Sequence, residues 1–79
     1  MSEANKIICA FIYKNWIENY KSQRSFALDH GIEESIVRKI KNTILQSDKV
    51  NYSIPVNTLQ KICDAKSMTL SDFFKLLDL

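Results

Sequence analysis

One glycine and one proline in 79 residues leave this chain almost no means of turning a sheet. Antiparallel strands need tight turns rich in Gly, Asn-Gly or Pro-Gly pairs, flanked by segments that alternate apolar and polar residues. Gly31 and Pro55 stand far apart, and no strongly alternating segment is bounded by turn residues. Helices are therefore the expected element, and the fold class is all-α. A hydrophobic content of 46%, with Phe, Ile and Leu spread along the whole length, supports one core without metals or disulfides. The length suits a single domain over 1–79.

Two cysteines, Cys9 and Cys63, lie far apart within apolar runs, where a thiol behaves as a small buried hydrophobe. Residues 1–5 lack the charged start, long apolar run and cleavage site of a signal peptide. Nothing approaches the roughly 20 apolar residues of a membrane span. A cytoplasmic protein without a membrane partner is the expectation. The net charge is only +2, but its distribution is uneven. Lys6 and Lys14 balance Glu3 and Glu18, and Lys61, Lys66 and Lys75 balance Asp64, Asp72 and Asp78. The excess lies in the middle third, where Arg38, Lys39, Lys41 and Lys49 face only Asp48 between residues 38 and 49. This is a modest, localised positive field.

From Ala4 to Tyr20, the residues Ile8, Ile12, Trp16 and Tyr20 recur every fourth position with Phe11 beside them, the period of an amphipathic first helix. Ser22 is placed to cap a short second helix with Phe26, Ala27 and His30 on its apolar side. Gly31 supplies the conformational freedom of a tight corner. A third helix comes next, roughly Glu34 to Lys41. Ile32, Val37 and Ile40 form its buried stripe, with Ser35, Arg38, Lys39 and Asn42 opposite. Ile44 and Leu45 are able to prolong it, but the polar run from Thr43 to Ile54 reads as a loop. Pro55 suits the first turn of a fourth helix with Val56, Leu59, Ile62 and Cys63 inward. Thr69 and Asp72 match a capping box before a last helix bearing Phe73, Phe74, Leu76 and Leu77.

The segment from Gln23 to Asn42 resembles the helix-turn-helix of the phage repressor and Cro-like (XRE) family of regulators. The matching positions are Gln23, the apolar Phe26, Ala27, Gly31, Ile32, Val37 and Ile40. Two helices crossing at a wide angle must meet through a small residue, which Ala27 provides. Thr58 to Ala65 and Thr69 to Phe74 look like the family's fourth helix and final capped segment. The resemblance implies a compact four- or five-helix bundle of the lambda-repressor-like type, acting as a sequence-specific regulator of transcription, a repressor, on double-stranded DNA. By position in the motif, Glu34, Ser35, Arg38 and Lys39 would reach base edges, and Gln23 would contact a phosphate. Lys41, Asn42 and Lys49 are better placed as phosphate contacts. Glu34 and Arg38, four apart, are spaced to pair. Three positions depart from the family pattern: Glu33 where a Ser-like cap is usual, Thr43 in place of a frequent Gly, and a longer loop before Pro55.

Outside that motif the ordinary readings prevail. His30 has no metal-ligand spacing to Cys9 or Cys63, so a packed or hydrogen-bonded role is expected, with no metal and no cofactor. Trp16, Phe11 and Tyr20 lie on a helical stripe and read as core. Phe73, Phe74, Leu76, Leu77 and Leu79 offer more apolar surface than a short terminal helix buries, which points to a homodimer face. The same face could instead seat another protein, such as a toxin, and make the chain a helical interaction module without DNA specificity. An enzyme is not expected: one histidine, no nucleophile beside a base and no glycine-rich phosphate loop leave no catalytic constellation.

Overall fold

In a computed structural model that describes residues 3–46 and 52–78, every regular element is helical. α1 (Glu3–Ile12) continues through a π-helical turn (Tyr13–Ile17). α2 spans Gln23–His30, α3 Glu34–Leu45, α4 Val56–Ala65 and α5 Leu70–Leu76. The all-α bundle expected from the scarcity of turn residues is the fold observed. α3 packs against both α1 and α2, while α4 bridges α2 and α5. The radius of gyration, 11.6 Å, equals the value of about 12 Å for a folded chain of this length.

The first helix departs from the expected period in an informative way. Ile8 and Ile12 are buried, but the next inward residue is Ile17, five positions on, rather than Trp16. The Glu18 N–H donates to the Tyr13 carbonyl at 2.8 Å, an i to i−5 bond that inserts one residue into the turn and rotates the side chains beyond it. Trp16 is thereby carried to the rim of the core. There it packs on Phe73 and edge-on against Phe11, at centroid distances of 5.6 and 5.3 Å. The helix stops at Ile17, so Tyr20 lies beyond it, half-buried, with its ring edge-on to Phe26.

The core contains Ile8, Cys9, Ile12, Ile17, Phe26, Ala27, Val37, Ile40, Leu59, Ile62, Cys63 and Phe73. Both thiols are free and buried, and burial pushes Cys9 up to about 11. Two expected core or dimer residues change places. Val56, the first residue of α4, is 70% exposed, and Thr58 is buried beside Leu59, Ile62 and Cys63. Phe73 is fully buried against Phe11 and Trp16, so it belongs to the core and not to a dimer face. The capping box before α5 forms as expected. The Asp72 N–H donates to the Thr69 hydroxyl, and the Thr69 N–H to the Asp72 carboxylate, at 3.0 and 3.3 Å.

α4 is followed by Lys66, whose ammonium lies 5.1, 5.7 and 6.0 Å from the ring centroids of Trp16, Tyr20 and Phe26. Beneath it His30 stacks on Phe26 with centroids 3.9 Å apart, and its Nδ1 lies 2.8 Å from the Phe26 carbonyl. A carbonyl only accepts, so Nδ1 carries the proton. His30 is thus packed and hydrogen-bonded, as expected. Burial, with Lys66 nearby, lowers its pKa from the ordinary histidine value.

Candidate nucleic-acid interface

The corner between α2 and α3 begins with two local signals. Ser22 caps α2, its hydroxyl accepting the Ser25 N–H at 3.0 Å. At the other end Gly31 adopts φ +66°, a left-handed conformation that strains a residue bearing Cβ. The Ile32 N–H donates to the Ala27 carbonyl at 3.0 Å and the Gly31 N–H to the Leu28 carbonyl at 3.4 Å. These are the two bonds of a Schellman motif. Ala27 and Ile32, the residues joined by the longer-range bond, are respectively buried and packed against the core. The chain thus leaves α2 and enters α3 along one fixed path.

α3 starts without a side-chain cap on Glu33. Its backbone still helps, because the Glu33 carbonyl accepts the Ile36 N–H at 3.0 Å. Glu34, in the first turn, places negative charge at the positive end of the helix. Val37, Ile40 and Thr43 point inward. The Thr43 hydroxyl donates to the Lys39 carbonyl at 2.8 Å, so a residue expected to open the loop is instead buried within the helix. The helix runs on to Leu45, four residues past the expected end at Lys41.

On the outer side, Glu34, Arg38 and Lys39 are exposed, and Ser35, Lys41 and Asn42 are half-buried. At 100° per residue, Arg38 and Asn42 stand near the middle of this face, with Lys39 and Lys41 roughly 80° to either side. The two flanks have different neighbours. Lys41 lines a concavity of about 210 Å³ with Gln23, Ser22, Tyr13, Ile17, Glu18 and Tyr20, at the start of α2. Two of the expected phosphate contacts, Gln23 and Lys41, are therefore brought together at a helix N-terminus, where main-chain N–H groups favour an anion; Glu18 lies on the same rim. On the opposite flank the Lys39 ammonium lies 5.5 Å from the centroid of Tyr52.

The expected pair between Glu34 and Arg38 forms at 3.8 Å, with side chains 46% and 57% exposed. A solvated pair of this length is worth at most about 0.5 kcal/mol, so Arg38 is readily released to another acceptor. Ser35 donates weakly to Glu33 Oε2 at 3.5 Å. Lys49 lies outside the described residues, as does Leu79. Of the remaining apolar residues named for a dimer face, Leu76 is 58% exposed, and Phe74 and Leu77 are half-buried.

Asn5 and Tyr52 have no part in the expectation. The Asn5 amide donates to the Tyr52 carbonyl at 2.6 Å, and its oxygen accepts the Ile54 N–H at 3.0 Å. One buried side chain on α1 thus holds the stretch before α4. The only hint in the sequence is an asparagine one turn ahead of an apolar stripe, which signals nothing about a partner 47 residues on. Nor does the chain's place among known proteins extend this geometry: no protein-family model, curated protein or solved structure was found to match it.

Proposed function

We propose that this chain is a sequence-specific double-stranded-DNA-binding regulator of transcription, a repressor, that lays the outer face of α3 in the major groove. The observation that carries the reading is the corner at Gly31. It braces a helix whose inner side is locked by Val37 and Ile40 while Arg38 and Lys39 lie exposed on the outer side. An α-helix fits the major groove, where guanine offers paired acceptors to an arginine or lysine and cytosine a donor to a carboxylate. Arg38, Lys39, Glu34 and Ser35 are the base-reading set in this proposal.

Gln23 and Lys41 hold one phosphate at the start of α2, and Asn42 and Lys49 hold others. Such contacts fix register without reading sequence. A homodimer completes the proposal, with Phe74 and Leu76 of α5, and Leu77 and Leu79 after it, as the shared face. Two-fold partners read paired half-sites.

Selection of bound duplexes from a random pool tests the whole reading. An inverted repeat with half-sites about one helical turn apart is expected. The phosphates neutralised by Lys41 and Lys49 predict a log-log salt slope of about −2 per subunit. A pool that yields no enriched sequence, or a complex indifferent to salt, overturns it.

A further inference from the structure

Among the described residues, Lys39 is the cation of α3 whose charge stands over an aromatic ring. Its ammonium stands 5.5 Å from the Tyr52 ring centroid, within the range at which a ring face attracts a cation. A lysine on a helix flank otherwise samples many rotamers, and a base edge must select one of them. Tyr52 is itself held. The buried Asn5 grips the backbone on both sides of Ser53, through the Tyr52 carbonyl at 2.6 Å and the Ile54 N–H at 3.0 Å. The Tyr52 ring is half-buried and packs against the core, which leaves it a platform rather than a mobile side chain. A chain of contacts therefore runs from α1 through Asn5 and Tyr52 to Lys39.

We infer that Tyr52 is a specificity-determining positioning residue. It fixes the direction of the Lys39 ammonium and thereby which base pair that side chain discriminates. This rests on the DNA-binding reading proposed above and adds to it a residue outside the helix-turn-helix. Tyr52 acts through Lys39, not by touching a base.

The test compares wild type, Lys39→Ala, Tyr52→Phe, Tyr52→Leu and the double variant Lys39→Ala/Tyr52→Leu. Each is put through selection from random duplexes and titrated against the selected site and single-base variants. Tyr52→Phe keeps a ring face and should retain the wild-type preference. Tyr52→Leu keeps an apolar side chain without the ring. It should lose about two- to fivefold in discrimination, the range of an exposed cation–ring contact, at the same base pairs that Lys39→Ala affects. The double variant should discriminate no worse than Lys39→Ala alone. Equal weakening on every sequence, an effect at other base pairs, or additivity with Lys39→Ala overturns the inference and leaves DNA binding standing. A wild type that selects no sequence overturns both.

A measurement without DNA keeps the two apart. The Lys39 ε-methylene protons should resonate upfield in wild type and Tyr52→Phe, through the ring current, and at the ordinary lysine position in Tyr52→Leu. An unshifted wild-type signal refutes the contact even if Tyr52→Leu fails to fold.

Discussion

Replacing Gly31 with alanine isolates the conformational cost of the helix corner. A Cβ built at Gly31 meets nothing within 4 Å, so crowding contributes nothing and only the backbone conformation, φ +66°, is penalised. A left-handed conformation costs an L-residue roughly 1–2 kcal/mol. Loss of glycine's freedom in the unfolded chain returns roughly 0.4–1 kcal/mol. The net expectation is a destabilisation of about 1 kcal/mol, which lowers Tm by about 4–8 °C in a domain of this size. Thermal unfolding followed by far-ultraviolet circular dichroism reads it directly. Asparagine, which tolerates this region better, should lose less. D-alanine, introduced by chemical synthesis, prefers positive φ and should match or exceed the wild type. Both hydrogen bonds of the corner use main-chain atoms, so α3 keeps its orientation in all three. Affinity of the folded protein for the selected duplex should then stay within about twofold, well inside the tenfold that 1.4 kcal/mol would bring. Equal Tm values for L- and D-alanine would refute the conformational account. A collapse of binding without loss of fold would show that Gly31 does something other than turn the chain.

Three further outcomes rest on the same geometry. Lys41→Ala should weaken binding to all sequences alike and reduce the magnitude of the salt slope by about 1, whereas Arg38→Ala should cost about 1–3 kcal/mol at particular base pairs; the reverse pattern in a filter-binding titration would exchange their roles. His30 is held neutral, its pKa lowered chiefly by burial. The unfolded chain therefore takes up a proton near the ordinary value of about 6.5 while the folded one does not, and stability should fall as pH drops from there toward the lowered pKa. A nuclear magnetic resonance titration placing His30 above the ordinary value would contradict this. Phe73→Ala should cost about 3–5 kcal/mol, most of the stability available to a small bundle, while Leu76→Ala should change monomer stability by no more than about 0.5 kcal/mol. Dimer dissociation followed by sedimentation should respond to Leu76→Ala if α5 forms the shared face.

The parts legible in the sequence are those decided by a few adjacent residues. Ser22 as a cap, Gly31 as a left-handed corner and the reciprocal Thr69 and Asp72 bonds each depend on atoms within five residues of one another. Local chemistry of this kind is written in local sequence. The stripe of Ile8 and Ile12 is equally plain. Its continuation is not, because the period of a regular helix carries no warning of the extra residue at Tyr13–Ile17. The choice of Ile17 over Trp16 is made by what packs there: a π turn lets the smaller side chain enter the core, and the indole lies across Phe11 and Phe73 at its edge. Phe73 is misread for the related reason that a short helix rich in apolar residues does not say which of them faces its neighbours.

The candidate face divides along the same line. That Arg38 and Lys39 point outward comes from the 3.6-residue period, whereas the different surroundings of Lys39 and Lys41 come from tertiary structure alone. Lys41 sits beside the start of α2 because Gly31 folds that helix back against α3. Lys39 meets Tyr52 because Asn5, far away on α1, holds the stretch before α4 in place. Two lysines separated by a single residue thus acquire different physical roles. One stands next to main-chain N–H groups that favour a phosphate wherever it lies, and the other is held by a ring that restricts its direction. On the proposed DNA-binding reading, the first arrangement would serve affinity and the second discrimination, since a phosphate contact tolerates positional freedom that a base contact does not. If the helix alone dictated recognition, exchanging the stretch before α4 would leave sequence preference unchanged; the packing of Tyr52 against Lys39 requires that preference to change while binding to unselected DNA persists.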